Sequence, residues 1–165
     1  MGYTTDFGGR FTLTPALTPA QGNYLEEFSN VGHMKQDVKK LEKEEDDLRE
    51  AVGLPIGREG EFSLIDTVGI LDSNKPPACQ PGLWCQWIPT YDGEFLEWDG
   101  GEKFYSYCEW LRYLMDNIFK VWGVTVSGEV EYNGESYDDE GVIRVIDGVI
   151  QRVEYEHSDG LMDEY

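Results

Sequence analysis

The 165-residue chain predicts an α+β fold, a ferredoxin-like split β-α-β-β-α-β antiparallel sheet with helices on one face, a helical insertion and a C-terminal hairpin. Three observations lead there. Several short runs alternate apolar and polar residues, two longer segments repeat apolar residues every three or four positions, and turn-forming dipeptides separate the runs. Once a charged central stretch is set aside, the order is strand, helix, strand, strand, helix, strand.

The first strand is read from residues 3–13, where Tyr3, Thr5, Phe7, Phe11 and Leu13 share one parity. Thr18, Pro19 and Gln21 then supply a cap hydroxyl, a proline at the first helical position and a side chain that reaches back to the cap. They predict a helix over about 19–30 with Ala20, Tyr24, Leu25, Phe28 and Val31 inward. Residues 35–50 are dense in charge around a thin stripe of Val38, Leu41 and Leu48, which predicts one exposed helix ended by Gly53 and Pro55. Up to residue 82 the chain reads as loop, apart from a short strand at Phe62–Ile65. The inserted helix and loop together span about 33–80.

Leu83–Ile88 is apolar on both parities, as a central strand covered on both faces is, and Tyr91-Asp92-Gly93 turns it back into Glu94–Trp98. Asp99 and Glu102 bracket two glycines like a capping box and introduce a helix to Trp122, with Phe104, Cys108, Leu111, Met115, Ile118 and Trp122 as its buried stripe. Val124 to Tyr132 alternates with Glu129 and Glu131 as a one-sided strand. Val142–Ile146 and Val149–Tyr155 flank Asp147-Gly148, a two-residue hairpin signal. A single domain over 1–155 and a mobile acidic tail over 156–165 complete the expected organisation.

With 33 acids against 13 bases the formal charge is −20. It is uneven, −6 over residues 1–82 and −14 over residues 83–165. Such a surface repels phosphate backbones and anionic lipid, so direct nucleic-acid or membrane binding is disfavoured and a basic protein or nucleoprotein is the expected partner. The three cysteines show no C-x-x-C pair and no histidine at zinc spacing, so neither a disulfide framework nor a metal or other cofactor is expected. The absence of a long apolar run or a secretory leader gives cytoplasmic residence as the expectation.

Chemistry-bearing residues concentrate in the second half. Trp87, Trp98 and Tyr105 are candidate aromatic anchors for a partner, Asp99 and Glu102 lie beside them, and Asp138, Asp139 and Glu140 form an acidic loop. Core packing is the favoured explanation of the aromatics, and a solvated loop that of the acids. Gly100 and Gly101 miss the spacing of phosphate-binding motifs. The acidic loop lacks the spacing and closing Glu of an EF-hand, and neither His33 nor His157 is tied to a cysteine by a local signature.

The runs NKPPACQPGLWCQWIP, EWDGGEKFYSYCEWLRYL and SGEVEYNGE, with the opening MGYTTDFGGRF, resemble a set of small, uncharacterised acidic proteins encoded by bacteria and their phages. Matching stretches there read close to PP-x-x-QPGLWCQW, EWDGGEKFY-x-Y-x-EWL and GEV-x-W-x-GE. The likeness implies no activity, and it departs at Gly32 and His33, where relatives carry a basic pair. The leading expectation is a non-enzymatic binding protein, such as a phage inhibitor that occupies a basic surface on a host defence protein. The alternative is a pocket protein or enzyme with its site near Trp87, Trp98, Asp99 and Glu102.

Overall fold

A computed structural model describes residues 2–156 and 162–165. In chain order the elements are β1 (Thr5–Thr14), α1 (Pro19–Asn30), β2 (Lys35–Gln36), α2 (Val38–Leu41), α3 (Asp47–Ala51), a 3-10 turn (Arg58–Gly60), β3 (Ile70–Asp72), β4 (Trp87–Pro89) and β5 (Phe95–Trp98). Then come α4 (Tyr107–Leu114), a π-helical turn (Met115–Phe119), α5 (Lys120–Trp122), β6 (Thr125–Gly134), β7 (Glu140–Ile146), β8 (Val149–Glu154) and β9 (Met162–Glu164). The chain forms two compact units, one of Thr18–Cys85 and one of Met1–Leu17 with Gln86–Tyr165.

The second of these is a mixed α+β unit built on a seven-stranded antiparallel sheet in the order β4-β5-β1-β6-β7-β8-β9. β1 and β6 pair over ten residues, from Thr5 opposite Gly134 to Thr14 opposite Thr125. Alternation sets the faces: Phe11, Leu13, Val126, Val130, Tyr132, Ile143, Val145 and Ile150 are buried on one side, while Asp6, Arg10, Thr12, Ser127, Glu129 and Glu131 face water. The helical segment packs on the buried face against β6 and β8, with Leu111, Leu114, Ile118 and Phe119 fully inside. At roughly 25 cal/mol per Å² of apolar surface removed from water, each such side chain contributes about 1.5–3 kcal/mol. The β7–β8 turn needs positive φ at both positions, and Asp147 (φ 50°) with Gly148 (φ 79°) provides it.

The Thr18–Cys85 unit has a small core of its own around Tyr24, Leu25, Phe28, Leu41, Leu54 and Phe62. α1 begins as the sequence predicts: the Thr18 hydroxyl accepts from Gln21 N, and Thr18 N donates to Gln21 Oε1. The Tyr24 hydroxyl donates to the Phe62 carbonyl, tying the helix to the loop.

Several elements differ from expectation. Residues 35–50 form β2 and two short helices instead of one exposed helix, because Leu41 turns inward and Asp46 accepts from both Arg49 Nε and Leu64 N. The same contacts remove the strand expected at Phe62–Ile65: Ile65 N donates to Ser63 Oγ, and the short strand lies later, at β3. Leu83–Ile88 is not a central strand. Only β4 forms there, at the sheet edge, where Pro89 can be tolerated. The helix begins at Tyr107, not Glu102, after Lys103 and Ser106 in left-handed conformations. Of the expected tail, residues 157–161 lie outside the described residues and Met162–Glu164 is paired to β8 as β9.

Candidate functional site

The eight residues singled out in the sequence separate into three places within the sheet unit. Trp87 is interior, 1% exposed, and its indole nitrogen donates to the Tyr107 carbonyl. Its ring packs edge-on against Phe7, Phe11 and Phe104. It is a core residue, so the expected anchor at this position is not on the surface. Trp98, opposite Trp87 in the β4–β5 ladder, is half-buried on Phe7, and its N–H reaches the Gly101 carbonyl at 3.1 Å and Gln86 Oε1 at 3.3 Å.

Asp99 and Glu102 cap no helix. Asp99 Oδ1 accepts from Gly101 N at 2.7 Å, and the Glu102 carbonyl accepts from Gln86 Nε2. These bonds fold residues 99–103 into a loop held by Trp98 and Gln86. Partial burial raises the Asp99 carboxyl above its ordinary value, against the lowering effect of the Gly101 amide.

Tyr105 and the acidic loop are brought together by Tyr3, which the sequence marked as a strand residue but not as part of a site. Its amide donates to the Tyr105 hydroxyl at 3.1 Å, its own hydroxyl donates to Asp139 Oδ2 at 2.6 Å, and Ser136 N donates back to it at 2.9 Å. Asp139 is also ion-paired with Arg152, Nη2 to Oδ1 at 2.7 Å. Arg152 donates from Nε to the Tyr107 hydroxyl at 3.0 Å and lies 4.3 Å from the Tyr132 ring centroid. Burial pushes the Tyr107 phenol up to about 12, opposed by Arg152. Asp139 is thus a fixed structural carboxylate, whereas Asp138 is exposed and Glu140 opens β7 on the outward face.

That outward face carries the unexpected part of the site. A shallow cleft of about 260 Å³ opens there, lined by Asp6, Gly8, Glu131, Asn133, Glu140 and Tyr155. Register creates it, since Asp6, Asn133 and Glu140 stand abreast on β1, β6 and β7. Glu131 is two residues along β6 on the same face, and the Tyr155 hydroxyl donates to it at 3.3 Å. Alternation had already marked Glu129 and Glu131 as outward, but only the pairing register places Asp6 and Glu140 beside them. The arginines of this face are engaged: Arg144 Nε donates to Glu129 at 2.7 Å, and the Arg10 guanidinium lies 3.9 Å from the Phe95 ring centroid.

Elsewhere the reactive groups are quenched. Cys85 and Cys108 are buried, and Cys79 donates to Glu61 Oε2, its thiol pushed up to about 12 by burial and then by that carboxylate. His33 is enclosed, with Nε2 donating to the Phe28 carbonyl at 2.8 Å, and burial lowers it to about 4. Among the described residues no group of three or more His, Cys, Asp or Glu side chains is placed to hold a metal ion, and no helix is long and apolar enough to cross a membrane. Comparison with protein-family models, with curated proteins and with solved structures finds no match to this chain.

Proposed function

We propose that the protein is a non-enzymatic binding protein that occupies a basic site on a partner protein or nucleoprotein, as a phage inhibitor of a host defence protein does. The observation that carries this reading is the charge of the sheet unit, 20 acids against 6 bases in sequence, with Asp6, Glu129, Glu131 and Glu140 on an outward face whose arginines are already committed to Glu129 and Phe95. A net negative face attracts cationic surfaces over about 8–10 Å at physiological salt and accelerates their encounter. The likeness of the QPGLWCQW and EWDGGEKFY runs to proteins of bacteria and their phages supplies the biological setting of the proposal.

We also propose the finer fold assignment. The order β6-β1-β5-β4 corresponds to strands four, one, three and two of a split β-α-β-β-α-β motif, with β7, β8 and β9 extending it from the fourth strand. The pocket alternative draws less support. Trp87 is interior, Trp98 and Asp99 are used to hold their own loop, and the cleft is smaller than the ~300–1,000 Å³ of typical small-ligand sites.

The test is surface plasmon resonance against a partner recovered from host lysate, run at about 0.1 M and about 1 M salt, where the screening length drops from ~10 Å to ~3 Å. The expected result is an association rate that collapses at high salt and falls on neutralising Asp138 with Glu135, two exposed acids of the loop between β6 and β7. Salt-independent association would overturn the reading.

A further inference from the structure

Building on the binding-protein reading, we propose that the outward face of the seven-stranded sheet is the docking surface and that its occupant is a basic amphipathic helix of the partner. Outward side chains fall into two adjacent lanes. Along β1 and β6 lie the carboxylates Asp6, Glu129 and Glu131, with Arg10, Asn133 and the small residues Gly8, Thr12 and Ser127 among them. Along β7 and β8 the outward positions are Val142, Arg144, Ile146, Val149, Gln151 and Val153; Val142 is buried, Arg144 is held on Glu129, and Ile146 and Val149, 56% and 43% exposed, form an apolar patch at the hairpin end.

Charge complementarity identifies the occupant. Asp6 and Glu131 have no ion-pair partner among the described residues, and Glu140 completes their row in the cleft. Like charges on neighbouring sheet positions raise the energy of the free face, and cationic side chains laid over it relieve that cost. The apolar patch of Ile146 and Val149 beside the acids asks for a ligand that is apolar along one stripe and cationic along its flank, the pattern of an amphipathic helix.

Geometry favours a helix over an added strand. A helix about 10 Å wide covers two or three strands at ~4.8 Å spacing, and the ten residues of β6 offer roughly 33 Å of length. Strand addition would have to use the sheet edges. One edge is β4, three residues ending in Pro89, which lacks an N–H, and the other is β9, also three residues.

The probe is a synthetic peptide of about 15 residues with Leu at helical i, i+3, i+4, i+7 spacing and Lys elsewhere. Beside it are a scrambled peptide of the same composition and a version interrupted by two prolines, each titrated into the full chain at low salt with amide NMR mapping and calorimetry. The patterned peptide is expected to shift the amides of β6, β7 and β8. It should bind at least about tenfold more tightly than either control and lose about tenfold or more on Glu131→Gln with Val149→Ser, or on Asp6→Asn with Val149→Ser should the first pair disturb the spectrum of the free protein. Equal binding of patterned and scrambled peptides, equal binding of the interrupted peptide, or shifts confined to residues 135–139 would overturn the helix-on-sheet proposal while leaving an acidic binding protein. No binding by any of the three peptides would overturn both.

Discussion

Replacing Arg152 by methionine tests whether the Asp139 network holds the end of the sheet together. The substitution keeps most of the aliphatic volume and removes the charge. The Arg152 and Asp139 side chains are only 18% and 22% exposed, so the charge-assisted bond at 2.7 Å falls near the upper end of the ~1.5–3 kcal/mol usual for such bonds. The bond to Tyr107 adds a neutral-partner contribution of ~0.5–1.5 kcal/mol, and the stacking on Tyr132 about 0.5–2 kcal/mol. These are coupled and do not sum. Asp139 would keep the Tyr3 hydroxyl, which limits the penalty for the carboxylate left behind. The expected loss for Arg152→Met is therefore about 2–4 kcal/mol, against about 1 kcal/mol for Asp139→Asn, whose one amide oxygen can still accept from Arg152 while its NH2 faces the Tyr3 hydroxyl oxygen. Urea denaturation at pH 7 of both single variants and the double gives the coupling energy, which should exceed about 0.5 kcal/mol. A destabilisation below 1 kcal/mol for Arg152→Met, or strict additivity in the cycle, would refute the claim that this pair is structural.

Three further outcomes follow from side chains described above. Leu111→Ala, at a fully buried position of α4, should cost about 2–5 kcal/mol and lower Tm by roughly 2–4 °C for each kcal/mol; an unchanged melting curve would remove the stripe from the core. Thr18→Ala should cost about 1 kcal/mol by breaking the capping box of α1, read as a shift in urea midpoint at constant slope. His33 is lowered from its ordinary value to about 4, so between pH 6.5 and 4 the unfolded chain binds a proton that the folded chain refuses. Stability then falls as the pH drops through that window, by up to roughly 3 kcal/mol more than in His33→Gln, and the two proteins should show the same pH dependence above about pH 7.

Local patterns that report on themselves were readable in the sequence. The Thr18-Pro19-Gln21 cap, the alternation of β1 and β6, and the Asp147-Gly148 turn each depend on residues within a few positions of one another, and each forms as written. Segments whose polar side chains bond far along the chain were not readable. Asp46 looked like one more acid on a solvated helix, yet it accepts from Leu64 N, and this helps to end the helix that its neighbours would otherwise propagate. Asp99 had the right neighbours for a cap box but found Gly101 N first, while Trp98 and Gln86 bound the backbone of the loop. At the candidate site the sequence marked Tyr105 and Asp139 without a reason to join them. The joining residue, Tyr3, lies 136 positions from Asp139 and carries no local signature. The cleft was hidden for a similar reason, because Asp6, Glu131 and Glu140 become neighbours only through strand register.

The π-helical turn at Met115–Phe119 also says where this chain tolerates a change in length. An α-helix advances 100° per residue, and a π turn holds one residue more than an α turn, so it absorbs that residue locally and hands the following segment on in phase. Removing one residue between Met115 and Phe119 would leave an ordinary helix that still delivers Gly123 and Val124 to the start of β6. Removing one from Tyr107–Leu114 instead would turn everything before the cut by about 100° against everything after it, and either Cys108 or Ile118 and Phe119 would leave the core. The helix thus contains its own gauge of where insertions and deletions could have accumulated without touching the ten-residue ladder between β1 and β6.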